Sequence, residues 1–258
     1  MHRAFGAFEL LTQTHHYDEY HNWRLFWDPW ALKFQPVIWD PIAWAPDMRP
    51  QEGCPVQQDL AITRLHVWLL RNGDFLAARH ESLRDFFTTG KSETFTKEVD
   101  WAIAAASAAS ELDPNARPTD PQRIADGMQS FRRFYDQTMR EVRLAHIDDA
   151  GSVKYSGPHA DGTLALEIAG RRPVDEIVLR YRDPVDRPPH AELRTRRGDD
   201  RSTTEMSGAV TLNGSSVRIA AHLFAQLEPV FSYLPNQLLR QLNYRSVPSY
   251  YELALSDL

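Results

Sequence analysis

Apolar residues change their spacing near Gly151, and this change constrains the fold more than any other feature of the chain. Between residues 57 and 147 they recur every three to four positions, the period of a helix with one buried face. Leu60, Leu65, Trp68 and Leu69 mark a first such face, and Asn72-Gly73 reads as its stop. Phe75, Leu76, Leu83, Phe86 and Phe87 mark a second helix, ending near Gly90. Ser92 or Thr94 can cap a third, running through Trp101 to Leu112, whose alanine-rich stretch would let another helix approach closely. Asp120-Pro121 starts a fourth, because proline is tolerated in a first turn. Its Met128, Phe131, Tyr135, Met139 and Val142 share one face.

Beyond Gly151 the pattern alternates. Thr163 to Ile168 and Glu176 to Tyr181 read as half-buried strands. Val210-Thr211-Leu212 and Val217-Arg218-Ile219 flank Asn213-Gly214-Ser215-Ser216, a strong hairpin signal. Short strands punctuated by turns favour a small β-sandwich. Pro235 to Asn243 is the exception, where Leu238, Leu239 and Leu242 suit a helical turn. Arg194, Arg196, Arg197 and Arg201, interleaved with Asp199 and Asp200, read as a solvated loop. The expected organisation is therefore an α-rich part over 1–149 and a β-rich module over 150–258.

Charge excludes one class of partner. Residues 151–258 balance 13 basic against 13 acidic side chains, so the whole net charge of −6 resides in residues 1–150. Nucleic-acid binding needs a basic face, and neither part has one. No apolar run is long enough to cross a bilayer. The first residues lack the basic, apolar and small-residue regions of a signal peptide, so the expectation is either an internal protein or an export signal carried by further upstream sequence. On that second reading the compartment is the cell surface or outside, as part of a longer chain. The single cysteine, Cys54, excludes an internal disulfide and reads as a free thiol in a loop.

The first forty residues carry the chemistry. An apolar helical stretch, Phe5, Phe8, Leu10 and Leu11, leads into His15-His16-Tyr17-Asp18-Glu19-Tyr20-His21-Asn22-Trp23-Arg24-Leu25. A hairpin-like turn follows at Asp28-Pro29, then an extended run into Pro36-Val37-Ile38-Trp39-Asp40. A helix thus leads to a segment bearing Asp18 and Asn22, and a hairpin follows that ends at Asp40. Phosphoryl transfer needs this kind of set: a carboxylate near the attacking oxygen, and hard oxygen ligands for Mg²⁺.

These two runs resemble the family of CotH kinases, spore-coat-protein-H-like proteins of protein-kinase-like fold, and the resemblance extends over residues 1 to about 147. It implies an α+β chain: a protein-kinase-like C-lobe, α-rich with a β-hairpin, followed by a β-sandwich-like module. It implies Asp18 as the catalytic aspartate, Asn22 and Asp40 as ligands of Mg²⁺ and hence of ATP, and a protein as phosphoacceptor. His21 would be a neighbour of this set. Asp18 and Asn22 are four residues apart, against five in the kinase catalytic loop. Many relatives carry a second acid two residues after the Trp-Asp, where this chain has Ile42 behind Pro41. Ahead of Asp18 stands one basic residue, Arg3, and no lysine to pair with ATP phosphates, so the chain is expected to be an incomplete kinase, inactive by itself.

Other readings compete. Asp18 and Asn22 could cap a turn, and Trp39-Asp40-Pro41 could be an ordinary strand end. His15, His16 and His21 with Asp18 could hold a transition metal. Tryptophans 23, 27, 30, 39 and 44 could form a sugar-binding platform, although aromatics at this density more often pack a core. The competing class is a non-catalytic pseudokinase whose β module binds a protein or glycan partner.

Overall fold

The computed structural model describes residues 2–14, 24–37, 56, 58–61, 64–112, 121–149, 151–159, 162–197, 200–231 and 242–256. The chain is a mixed α+β protein. In order run helix α1 (His2–Thr12), strands β1 (Arg24–Asp28), β2 (Lys33–Val37) and β3 (Leu60–Ala61), then helices α2 (Arg64–Leu70), α3 (Gly73–Thr88), α4 (Lys91–Leu112) and α5 (Pro121–Arg143). A π-helical turn, Leu144–Asp148, extends α5. Strands β4 (Ser152–Ser156), β5 (Thr163–Ala169), β6 (Val174–Arg180), β7 (His190–Arg197) and β8 (Asp200–Glu205) follow. A 3₁₀ turn, Ser207–Ala209, then leads to β9 (Val210–Asn213), β10 (Ser216–Leu223), β11 (Gln226–Phe231), β12 (Leu242–Val247) and β13 (Ser249–Ser256). Helix gives way to strand at Gly151, where the apolar period changes. The contacts divide the chain into two units, Met1–Trp68 with Ala78–Asp148 and Phe231–Asn243, and Leu69–Ala77 with Asp149–Val230 and Tyr244–Leu258.

The helical unit is built around α1, α3 and α5. Ala7, Leu10 and Leu11 of α1 pack with Val56, with Leu83 and Phe87 of α3, and with Val142 of α5. Tyr135, buried on α5, packs with Val99 and Phe95 of α4 and shares a 2.7 Å hydrogen bond with Thr96. Burial raises the Tyr135 phenol above the ordinary tyrosine value. The expected faces of the helices at 73–88 and 121–143 are the ones observed. Asn72 does more than stop a helix: its Oδ1 accepts from the Phe75 amide at 3.0 Å, which caps the start of α3.

Two expected faces are corrected. Leu65 and Trp68 of α2 are exposed, Trp68 by 71%, and the buried positions are His66 and Leu70. The helix is rotated because His66 Nε2 meets Glu9 Oε1 at 2.7 Å, and a buried polar pair of that geometry holds the helix on its own face. The alanines at 104–106 of α4 are exposed rather than packed against another helix, and so is Trp101. High helix propensity, not close approach, accounts for alanine there.

The β unit is a two-layer sandwich. One sheet has the order β4-β5-β13-β7-β8 and the other β6-β10-β9, and every described pair in them is antiparallel. The inward residues of both sheets form one core, with Leu164, Ile168, Leu193 and Leu253 from the larger sheet and Val217 and Ile219 from the smaller. Burial alternates residue by residue along β5 and β13, as a sheet with one solvated face requires. Tyr251 Oη donates to the Phe224 carbonyl at 2.7 Å, so its buried hydroxyl is satisfied.

Two turns depend on glycine. Asn213 pairs with Ser216 across a two-residue turn whose first central residue, Gly214, has φ of +61°. Next to the β4–β5 ladder, a Cβ on Gly170 (φ +98°) would stand 2.5 Å from Gly151 Cα, so the two backbones approach too closely for side chains. The arginine-rich stretch expected to be a loop is instead the β7–β8 hairpin, with Arg194 opposite Thr203 and Arg196 opposite Arg201. Cross-strand pairing to β13 on one side of β7 and to β8 on the other overrides the polar composition. The helical turn expected at Pro235 to Asn243 lies mostly outside the described residues, but Leu242 and Asn243 are strand, paired with Ala61 and Leu60.

Candidate functional site

Asp18, Asn22 and Asp40 lie outside the described residues, as do His15, His16, His21, Trp39, Ile42 and Cys54. The elements that flank them in sequence, α1 and the β1–β2 hairpin, are described. The end of α1 is anchored. Thr12 Oγ1 donates to the Phe8 carbonyl and Gln13 Nε2 to the Leu10 carbonyl, both at 2.8 Å, and Thr12, Gln13 and Thr14 are all buried. Gln13 has φ of +51°, the left-handed conformation that ends many helices. Four residues after Thr14 the sequence reaches Asp18.

The hairpin fixes the other side. Its register pairs Arg24 with Val37 at the open end and Asp28 with Lys33 at the turn. In the sequence Asn22 precedes Arg24 by two residues and Asp40 follows Val37 by three. The turn is held by Asp28, whose Oδ1 accepts from the amides of Trp30 and Ala31 at 3.0 Å and whose Oδ2 accepts from Gln35 Nε2. Such an Asx turn is what the Asp28-Pro29 pair encodes.

The aromatics of this ribbon do not pack a core, contrary to the usual fate of aromatics at such density. Leu25, Phe26, Trp27 and Phe34 are all exposed, and Trp30 at the tip is 95% exposed. Trp27 and Phe34, directly paired, lie with ring centroids 5.0 Å apart. Leu32, three-quarters exposed, has φ of +50°, a conformation that suits glycine or asparagine and strains a branched apolar residue. Leu32 closes the four-residue loop 29–32 between the two strands, where a left-handed residue is common.

A third arrangement, behind the hairpin in sequence, escaped the sequence reading. The Val56 amide donates to Glu141 Oε2 at 3.0 Å, His146 Nε2 meets Gln58 Oε1 at 3.1 Å, and Asp59 Oδ1 accepts from Arg79 Nη2 at 2.7 Å. The short β3–β12 ladder follows at once. Asp59 and Arg79 are both buried, and they form an ion pair. The set therefore clamps residues 56–61 to α3 and α5, and its chemistry is structural. Its signal in the sequence is Arg79, which with His80 interrupts the apolar side of α3 carrying Leu76 and Leu83, since a buried arginine needs an acid. A fourth set, His190, Glu192 and Glu205, gathers on β7 and β8. Its sequence signal is the His-x-Glu spacing, which puts both side chains on one face of a strand. No family model matches the chain, and no curated protein matches it.

Proposed function

We propose that this chain carries the C-lobe portion of a CotH-type, kinase-like phosphotransferase that transfers phosphate from ATP to a protein. The observation that carries the reading is the hairpin register. In sequence, the segment bearing Asp18 and Asn22 lies between helix α1 and the hairpin whose first strand begins at Arg24, and Asp40 follows Val37, the register partner of Arg24. Two carboxylates and an amide oxygen are a donor set that fits Mg²⁺. Asn22 and Asp40 would hold the ion, which when bound offsets the charge of the ATP phosphates. Asp18 would orient the acceptor hydroxyl and take its proton. A protein phosphoacceptor follows from the family resemblance.

One observation favours a second reading, a non-catalytic module that binds a protein or glycan: the exposed aromatic ribbon with Trp30 at its tip. Tryptophan faces stack on sugars and anchor protein contacts.

Calorimetric titration of the 258-residue chain with ATP and Mg²⁺ tests the proposal. Residues 1–150 carry the full net charge of −6, which opposes the ATP phosphates, so binding weaker than micromolar and no phosphotransfer are expected. Micromolar binding that disappears in Asp40→Ala would overturn the expectation of a weak nucleotide site. Tryptophan emission during a parallel titration with a soluble oligosaccharide separates the second reading. Quenching abolished by Trp30→Ala supports a glycan-binding module, and unchanged emission removes that form of it.

A further inference from the structure

The structure assigns a site for a divalent transition metal, of the Zn²⁺ type, to His190, Glu192 and Glu205 on the outer face of the β sandwich. This is independent of the kinase reading and rests on the β unit alone. On β7, Ala191 and Leu193 point into the core, so His190 and Glu192 project together from the opposite face. Glu205 of the edge strand β8 is the register partner of Glu192. Two carboxylates placed directly opposite one another repel, and a cation between them removes that cost.

The distances also suit a shared ion. His190 Nε2 lies 3.2 Å from Glu205 Oε2, within N–H···O range, and 3.6 Å from Glu192 Oε1, too long for a hydrogen bond. Donors each about 2.1 Å from one ion are separated by about 3.0 Å at neighbouring octahedral positions and about 3.4 Å at tetrahedral ones. His190 Nε2 therefore sits near the spacing of a shared coordination sphere from both carboxylates, and the ligand atoms of all three residues lie within 4.8 Å of one another. Arg194 Nη2 stands 3.4 Å from Glu192 Oε2, the oxygen turned away from His190, and can orient that carboxylate.

One imidazole with two carboxylates selects Zn²⁺ or a neighbouring first-row ion over Mg²⁺ and Ca²⁺, which prefer oxygen ligands alone. Three protein ligands on a solvated face leave at least one coordination position to water or to an oxygen of an incoming ligand.

The test is calorimetric titration of the full chain with Zn²⁺, comparing the unaltered protein with His190→Ala and Glu205→Gln. Both positions are solvated, so melting curves without metal are expected to coincide and to show that each variant folds. The expected result is a one-to-one Zn²⁺ event that weakens by about tenfold or more in each variant and is not displaced by excess Mg²⁺. No binding event, or one retained unchanged in both variants, overturns the assignment. The second outcome would place the metal on another donor set, such as histidines 15, 16 and 21.

Discussion

Arg79→Met is expected to destabilise the helical unit by about 3–5 kcal/mol. Arg79 Nη2 holds Asp59 Oδ1 at 2.7 Å, and the Asp59 side chain is fully buried. Methionine keeps most of the stem of the side chain but takes the guanidinium away from a carboxylate held out of water. The penalty comes from that lost charge contact at a buried group, not from the net worth of the pair, which desolvation of both ions keeps small. The double variant Asp59→Asn with Arg79→Met should therefore lose less than Arg79→Met alone. All seven tryptophans lie in segments of the helical unit, so urea unfolding followed by tryptophan emission reads this unit. A single-variant loss below about 1 kcal/mol would mean that the pair clamps nothing.

Leu253→Ala is expected to cost the β unit about 2–5 kcal/mol. Leu253 is 0% exposed on β13, the central strand of the larger sheet, and its register partners on the two sides are Leu164 and Leu193. Alanine would open a cavity in the middle of this row of three leucines, at a point where the ladder on both sides resists collapse. Tyr250, one residue earlier, faces solvent, and Tyr250→Ala should change stability by less than about 1 kcal/mol. With no tryptophan in the β unit, its transition is followed by far-ultraviolet circular dichroism. A chain of two units has no single unfolding free energy, so the two probes are analysed separately.

The mixed α+β architecture was legible wherever one local signal set the outcome. The change of apolar period at Gly151 separates helices from strands. Asn213 to Ser216 forms the expected hairpin, and Asp28 turns the first one. The stripes on α3 and α5 match their buried faces: Leu83 and Phe87 pack with Val142, and Tyr135 packs with α4.

Misreadings arose where a distant partner decided. His66 turned α2 because Glu9, 57 residues away, takes its imidazole. The arginine-rich stretch became a hairpin through pairing with β13, which comes more than fifty residues later. The exposed aromatics of the first hairpin defeat the rule that such residues go inside, because no local pattern states what they will contact. The candidate sites follow the same division. Asp18, Asn22 and Asp40 were singled out by their nearness in sequence and their chemistry, and they lie outside the described residues. The His190–Glu192–Glu205 cluster was half legible. The His-x-Glu spacing is local, whereas Glu205 arrives only through the register of β7 with β8.

The account turns on whether Asp18 and Asp40 face one site. Thiol cross-linking of an Asp18→Cys, Asp40→Cys variant in a Cys54→Ser background measures this directly. The bifunctional maleimide used should reach no more than about 12 Å, the span that a shared Mg²⁺–phosphate site allows. Mass spectrometry of the digested protein then identifies the bridged peptides. The kinase C-lobe reading predicts rapid intramolecular bridging in the native chain that disappears in urea. Two thiols that each react fully with a single-headed maleimide, yet never bridge in the folded protein, would contradict it.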